Sequence, residues 1–180
     1  MTSRRNIILL ALAALVLVAL AVVGTVTVLS LANQKPSVPS DAALYVVDTN
    51  SAVADDAKQW DWNDDANASA SETDAQAPLM CPAGSTNTAS FMAISGNERT
   101  PASWTMWEFL GYGGNITSVL LAPLTPDRMG SGSGQAIHAA GGTFSLGVAC
   151  TTNNNLNVTA AYYRTITVQP GGVWTLEPLK

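Results

Sequence analysis

The chain has 180 residues, 47% of them hydrophobic and 12% charged, with 13 acids against 8 bases and a formal net charge of −5. Residues 1–40 hold Arg4, Arg5 and Lys35, residues 41–80 hold nine acids against Lys58, and residues 81–180 hold four acids and four bases. Phosphate recognition needs clustered Lys and Arg, so this distribution excludes a nucleic-acid binder.

From Asn6 to Gln34 run 29 residues without a charge, and residues 7–23 are unbroken in their apolar character. A helix needs roughly 20 apolar residues to cross the hydrocarbon core, and Arg4 and Arg5 mark the end that stays inside. The pattern predicts a cytoplasmic tip at 1–5, a single transmembrane signal anchor in the bilayer at 6–32, and a C-terminal remainder outside. Ser30-Leu31-Ala32 places small residues where a signal peptidase reads them, so secretion after cleavage at Ala32 is the competing outcome. The run exceeds the roughly 7 to 15 residues of a cleaved signal core, which favours the anchor. The arginine pair is the ordinary flank of an export segment.

Pro36 and Pro39 predict an extended exit from the membrane. Residues 33–80 then read as an acidic Ala/Asp/Ser stalk, because low hydrophobicity with net negative charge leaves little to bury. Residues 44–47 are a candidate short strand or docking segment within it, and Trp60 and Trp62 are candidates to pack on the following domain. Asp61, Asn63, Asp64 and Asp65 gather oxygen-bearing side chains in the manner of a weak calcium loop. The glycine and distal glutamate of an EF-hand are absent, and Ala66 stands where the glycine belongs. A solvated stalk explains these residues as well, and we expect neither metal nor cofactor.

Cys81 and Cys150 are the only cysteines. In an exported chain their pairing is the default, and a metal site fails on ligand number, because only His138 is available to join them. From Cys81 onward, short alternating runs are broken by Gly, Pro and Asn clusters, an all-β signature. The predicted strands are 90–95, 104–110, 116–121, 143–150, 156–163, 164–168 and 173–177. Phe144, Leu146, Val148 and Cys150 alternate with Thr143, Ser145, Gly147 and Ala149, so one strand face is buried. Asn153-Asn154-Asn155 tolerates left-handed backbone and predicts a hairpin turn. Antiparallel strands at this spacing predict a sandwich or a small barrel over residues 81–180.

The strings Gly142-Thr143-Phe144-Ser145-Leu146-Gly147-Val148-Ala149-Cys150, Tyr163-Arg164-Thr165-Ile166-Thr167-Val168 and Gly172-Val173-Trp174-Thr175 resemble the closing strands of immunoglobulin-like domains in exported actinobacterial surface proteins. The resemblance covers about 35 residues in the C-terminal third. It implies an antiparallel immunoglobulin-like sandwich displayed on a cell surface as a spacer or adhesion module. It carries no functional residue across, since Val148 stands where antibody-type domains place a tyrosine before the second cysteine.

Three constellations bear on chemistry. Gly130-Ser131-Gly132-Ser133-Gly134 meets neither the phosphate-loop nor the nucleophile-elbow pattern and predicts a flexible loop. His138 is the only histidine, so a triad would need it with Ser131 or Ser133 and Asp127; no motif supports one, and we expect no catalytic residue. In the aromatic run 104–112, two-residue alternation places Trp104 and Trp107 on opposite faces. Trp104, Trp107 and Tyr112 are therefore the candidate binding aromatics, for an extracellular protein or glycan. Asn67, Asn115 and Asn157 begin glycosylation sequons, relevant only in a host that uses them.

Together these readings predict a non-enzymatic binding or structural display protein, anchored in the cell membrane with its C-terminal domain outside. A pilin-like or secretion-apparatus subunit is the alternative, although 6–34 lacks the early glutamate of such helices, and a secreted hydrolase is the third.

Overall fold

In the computed structural model, residues 39–112 and 115–179 are described. The predicted tip, anchor and cleavage site, with the first residues of the predicted stalk, lie outside them. Among the described residues, no helix is long and apolar enough to cross a membrane.

The longest strands form where alternation is strongest. Strand β9 (Gly142–Thr152) and strand β10 (Asn157–Val168) make one antiparallel hairpin, so the predicted strands 156–163 and 164–168 are continuous. Its turn is built by Asn153, Asn154 and Asn155, all at positive φ (53°, 53° and 66°), a conformation asparagine tolerates better than most side chains. Strands β5 (Asn87–Ala93), β6 (Trp104–Tyr112) and the two-residue β8 (Ser131–Gly132) extend the sheet on one side. Strands β11 (Trp174–Leu176) and β2 (Gln59–Trp60) extend it on the other. The order is β2-β11-β10-β9-β5-β6-β8, antiparallel at every pairing, and the sheet curls into a half-barrel. The described residues are thus mostly β, in antiparallel sheets of which this curled one is the largest. The alternation of β9 establishes a buried face without saying what lies against it.

What covers that face is largely the segment expected to be a stalk. Strand β1 (Tyr45–Val47) pairs with β3 (Asn67–Ser69), and β4 (Leu79–Met80) pairs with β7 (Ser118–Val119). Leu44, Val46, Ala66, Ala68 and Leu79 enter the same core as Leu146, Val148, Ile166 and Leu176. Cys81 and Cys150 form a disulfide spanning 69 positions, joining the residue after β4 to the central strand β9. Trp60 stacks on Trp174 across the β2–β11 pair, centroids 5.2 Å apart and planes within 10°, with Lys58 Nζ 3.8 Å above the Trp60 ring. The stalk expectation is corrected because composition averages over faces: Asp55, Asp61 and Asp74 are exposed while Trp60, Ala66, Ala68 and Ser69 between them are buried.

The sheet's second face carries its own small core of Ala89, Phe91, Ala93, Trp104, Ala149, Ala161 and Tyr163. Phe91 and Tyr163 sit opposite Gly147 on the two neighbouring strands. A Cβ on Gly147 would lie 2.1 Å from the Tyr162 carbonyl oxygen and 2.5 Å from Tyr163 Cβ, so the backbones approach closely only because this residue has no side chain. Gly147→Ala must push strands apart inside a packed core, an overpacking cost of up to about 3 kcal/mol. A lowered urea midpoint is expected; an unchanged one would show that the strands relax freely.

Edges are treated differently from the interior. The part of β10 that β11 leaves unpaired is bonded by the chain entering at residues 40–41: Asp41 N–H donates to the Ala161 carbonyl (3.0 Å), Ala161 N–H donates to Asp41 Oδ2 (2.7 Å), and Tyr163 N–H donates to Ser40 Oγ (3.0 Å). Arg99 pairs with the same Asp41 carboxylate at 2.6 Å.

Candidate functional site

The aromatic run does not form the site its alternation suggests. β-Bulges interrupt the β5–β6 register between Met92 and Ala93 and between Thr88 and Ala89. A bulge inserts one extra residue and resets which side chains share a face. Trp104 and Trp107 therefore fall on the same face. Trp104 is 5% exposed, stacks on Phe91 at 4.8 Å and donates its indole N–H to the Glu98 carbonyl at 2.9 Å. Trp107 is half-buried against the same cluster. Trp104 is thus a core residue rather than a binding aromatic. The backbone of Tyr112 pairs with Asn87 at the end of β6.

The acidic candidates are held by local structure. Asp61 N–H donates to Asp64 Oδ2 at 2.9 Å, and Asp65 pairs with Arg128 at 2.6 Å, while Asn63 is exposed. Among the described residues, no group of three or more His, Cys, Asp or Glu side chains is gathered around a common point. Of the sequon asparagines, Asn67 lies in β3, Asn115 accepts the Gly84 N–H at 3.3 Å, and Asn157 is exposed at the start of β10.

Among the described residues, three titratable groups are shifted by the fold's own contacts. Arg164, its side chain 3% exposed, donates to Asp56 at 2.7 Å; that hydrogen bond and the attached charge hold Asp56 below the usual carboxylate range, although burial pushes the other way. Burial raises Asp48, but the Ala52 and Asn50 N–H groups and Lys58 outweigh it and leave the carboxyl lowered. Tyr162 is raised, chiefly by burial and then by the Asp41 charge, with Arg99 opposing. Its hydroxyl donates to the Met80 carbonyl, next to the disulfide.

A different place gathers chemistry. The loop expected at 130–134 is instead edge strand β8 followed by helix α1 (Gly134–Ala140), a single short amphipathic element whose Ile137 enters the main core. Gly141 ends the helix at φ +69°, where a Cβ would lie 2.5 Å from the Val168 carbonyl oxygen. Gly132 and Gly134 let strand and helix lie directly on β6: a Cβ at 134 would stand 2.9 Å from Met106 Cε. Opposite the helix, a 3-10 turn at Pro126–Arg128 presents Asp127, whose backbone N–H donates to the Trp62 carbonyl at 3.2 Å.

Between these elements lies a cleft of about 490 Å³. Trp62, Met106, Pro126 and Met129 give it apolar surface, Asp127, Gln135 and His138 give it polar groups, and Gly130, Gly132 and Gly134 form a low wall. His138 sets its ring at 82° to Trp62, with centroids 5.4 Å apart. Both rings adjoin the turn at 169–172, where a Cβ on Gly172 would lie 2.4 Å from His138 Cδ2 and 3.0 Å from Trp62 Cβ. Of the residues weighed for a triad, Asp127 and His138 line the cleft, Ser131 pairs with Trp107 in the sheet, and Ser133 N–H donates to the Thr105 carbonyl at 2.8 Å. The arrangement can hold a small ligand between an aromatic surface and hydrogen-bonding side chains. Sequence reasoning singled out Trp62, Asp127 and His138 for other roles and passed over Met106, Met129 and Gln135 as parts of any site. The glycine cluster was the local signal available.

In comparisons with known proteins, no protein-family model matches the chain, and no curated protein or solved structure matches it.

Proposed function

We propose that the chain is a membrane-anchored binding or structural display protein without catalytic activity, held in the bilayer by residues 6–32 and exposing its β domain on the outer side. The observation that carries this reading is the Cys81–Cys150 disulfide. Such bonds persist in oxidising compartments and are rare where glutathione and thioredoxin keep thiols reduced, and the chain opens with an uncharged run of the length a bilayer requires. The functional half of the resemblance to surface-displayed immunoglobulin-like domains points the same way. His138, packed against Trp62 and Gly172, is suited to shaping a binding surface.

Produced from its own first residue in a bacterial host, the protein is expected to sediment with membranes and resist carbonate extraction. Its thiols should stay unreactive until reductant is added, and its domain should be lost to protease added outside the cytoplasmic membrane. Mature soluble protein beginning at Asn33 would overturn the anchor. Free thiols in freshly prepared protein would overturn the compartment.

A further inference from the structure

We propose that the cleft between the Pro126–Arg128 turn and helix α1 is a binding site for a neutral carbohydrate, one or two sugar units of a larger glycan. The inference gives a ligand class to the binding protein proposed above and rests on that reading.

The size is suitable: small-molecule pockets run from roughly 300 to 1,000 Å³, and this one measures about 490 Å³. Chemistry narrows the choice. A sugar ring presents apolar C–H groups on its faces and hydroxyls at its rim, and each hydroxyl both donates and accepts. The cleft offers both kinds of surface: Trp62 gives apolar area with the edges of Met106 and Met129, and Asp127, Gln135 and His138 give polar side chains. Asp127 supplies an acceptor, Gln135 both kinds of group, and neutral imidazole one of each. Asp127 is exposed in the free domain, so its carboxylate is solvated and ready to exchange water for a ligand hydroxyl.

Other ligand classes fit less well. Among the described residues, no Lys or Arg lines the cleft, so a phosphate, sulfate or carboxylate would meet the Asp127 charge without compensation. A wholly apolar ligand would strand three polar side chains. An organic cation can use Trp62 and Asp127, but it would leave Gln135 and His138 idle in a space wider than an ammonium group needs.

Saturation-transfer NMR on the full chain tests this, in polyoxyethylene ether micelles because they carry no sugar. The probes are glucose, galactose, N-acetylglucosamine, cellobiose and N,N′-diacetylchitobiose, with choline as the cation. At least one saccharide is expected to bind with Kd on the order of 1 mM or tighter, showing saturation on the ring C–H protons. Binding should weaken about tenfold or more, the loss of a central contact, in Trp62→Ala and in Asp127→Asn, and be unchanged in Leu156→Ala at the exposed hairpin tip. Asp127→Asn alters an exposed side chain, so it decides the matter even if Trp62→Ala fails to fold. No saccharide binding, saccharide binding that ignores Asp127→Asn, or binding of choline alone would each overturn the proposal. Carbonate extraction of the same preparation separates the two readings: an anchored chain blind to sugars sinks only the carbohydrate site, and a chain released at Asn33 that binds sugars sinks only the anchor.

Discussion

Replacing both cysteines by alanine is expected to remove about 4 kcal/mol of unfolding free energy, the loop-entropy value for a crosslink closing a loop of this length. The separation of 69 positions is long for a domain whose described part starts at residue 39. A covalent link therefore restricts much of the unfolded chain at once. Position adds to length. Cys81 follows β4 in the covering layer, and Cys150 is fully buried on the central strand β9. Without the bond, the buried Leu79 side chain, the short β4–β7 pair and hydrogen bonds such as Cys81 N–H to the Thr117 carbonyl (2.8 Å) and Tyr162 to Met80 hold that part of the layer to its neighbours. A loss of this size is a large fraction of the 5 to 15 kcal/mol that typically separates native from unfolded states. Urea unfolding followed by tryptophan fluorescence should show it, and reductant should move the wild-type midpoint while leaving the double variant in place. A variant as stable as wild type would mean that the disulfide records the compartment without supporting the fold.

The second large effect is expected at Trp174. Trp174→Ala should cost about 3 to 5 kcal/mol, the usual range for removing a large aromatic from a core. Trp174 is 0% and Trp60 1% exposed, and the two stack across an edge pair only two residues long. Loss of one ring therefore also removes what holds β2 to the sheet. Both indole N–H groups are buried without a hydrogen-bond partner among the described residues, and such groups carry a desolvation cost of about 1 to 3 kcal/mol each. Trp174→Phe is informative for this reason: it keeps an aromatic stack while removing an unpaired donor, so it should cost less than half as much as the alanine variant. Equal losses in the two variants would place the energy in shape alone and refute the role given to the unpaired donors.

How much of this was legible depended on whether the signal was local. The alternation from Phe144 to Cys150 and the three asparagines after it specify a hairpin by themselves, and the hairpin is present. The disulfide followed from counting cysteines in a chain read as exported. The pairing of Trp104 and Trp107 on one face was not legible, because a bulge is decided by how β6 fits β5 and not by the residues of β6 alone. Helix α1 spans seven residues between glycines, too short for a 3.6-residue period to show. The acidic segment misled because an average over 33–80 hides Leu44, Val46, Trp60 and Leu79 behind aspartates that point the other way. The cleft draws on Trp62, Met106 and His138, which only the folded chain brings to one place.

The strap at Ser40 and Asp41 bears on how such domains can crowd together. A bare strand edge is a template for another molecule's backbone, and proteins blunt it with short strands, bulges or a covering segment. All three devices occur in this sheet: its outermost strands β2 and β8 are two residues each, β6 is bulged twice, and the open part of β10 is occupied by residues 40–41 with Arg99 holding Asp41 in place. A neighbouring copy approaching β10 would meet this strap instead of free backbone groups at Ala161 and Tyr163. Strand donation onto β10 would first have to peel away the strap and its ion pair, so the chain's own entering segment competes with any copy that approaches this edge.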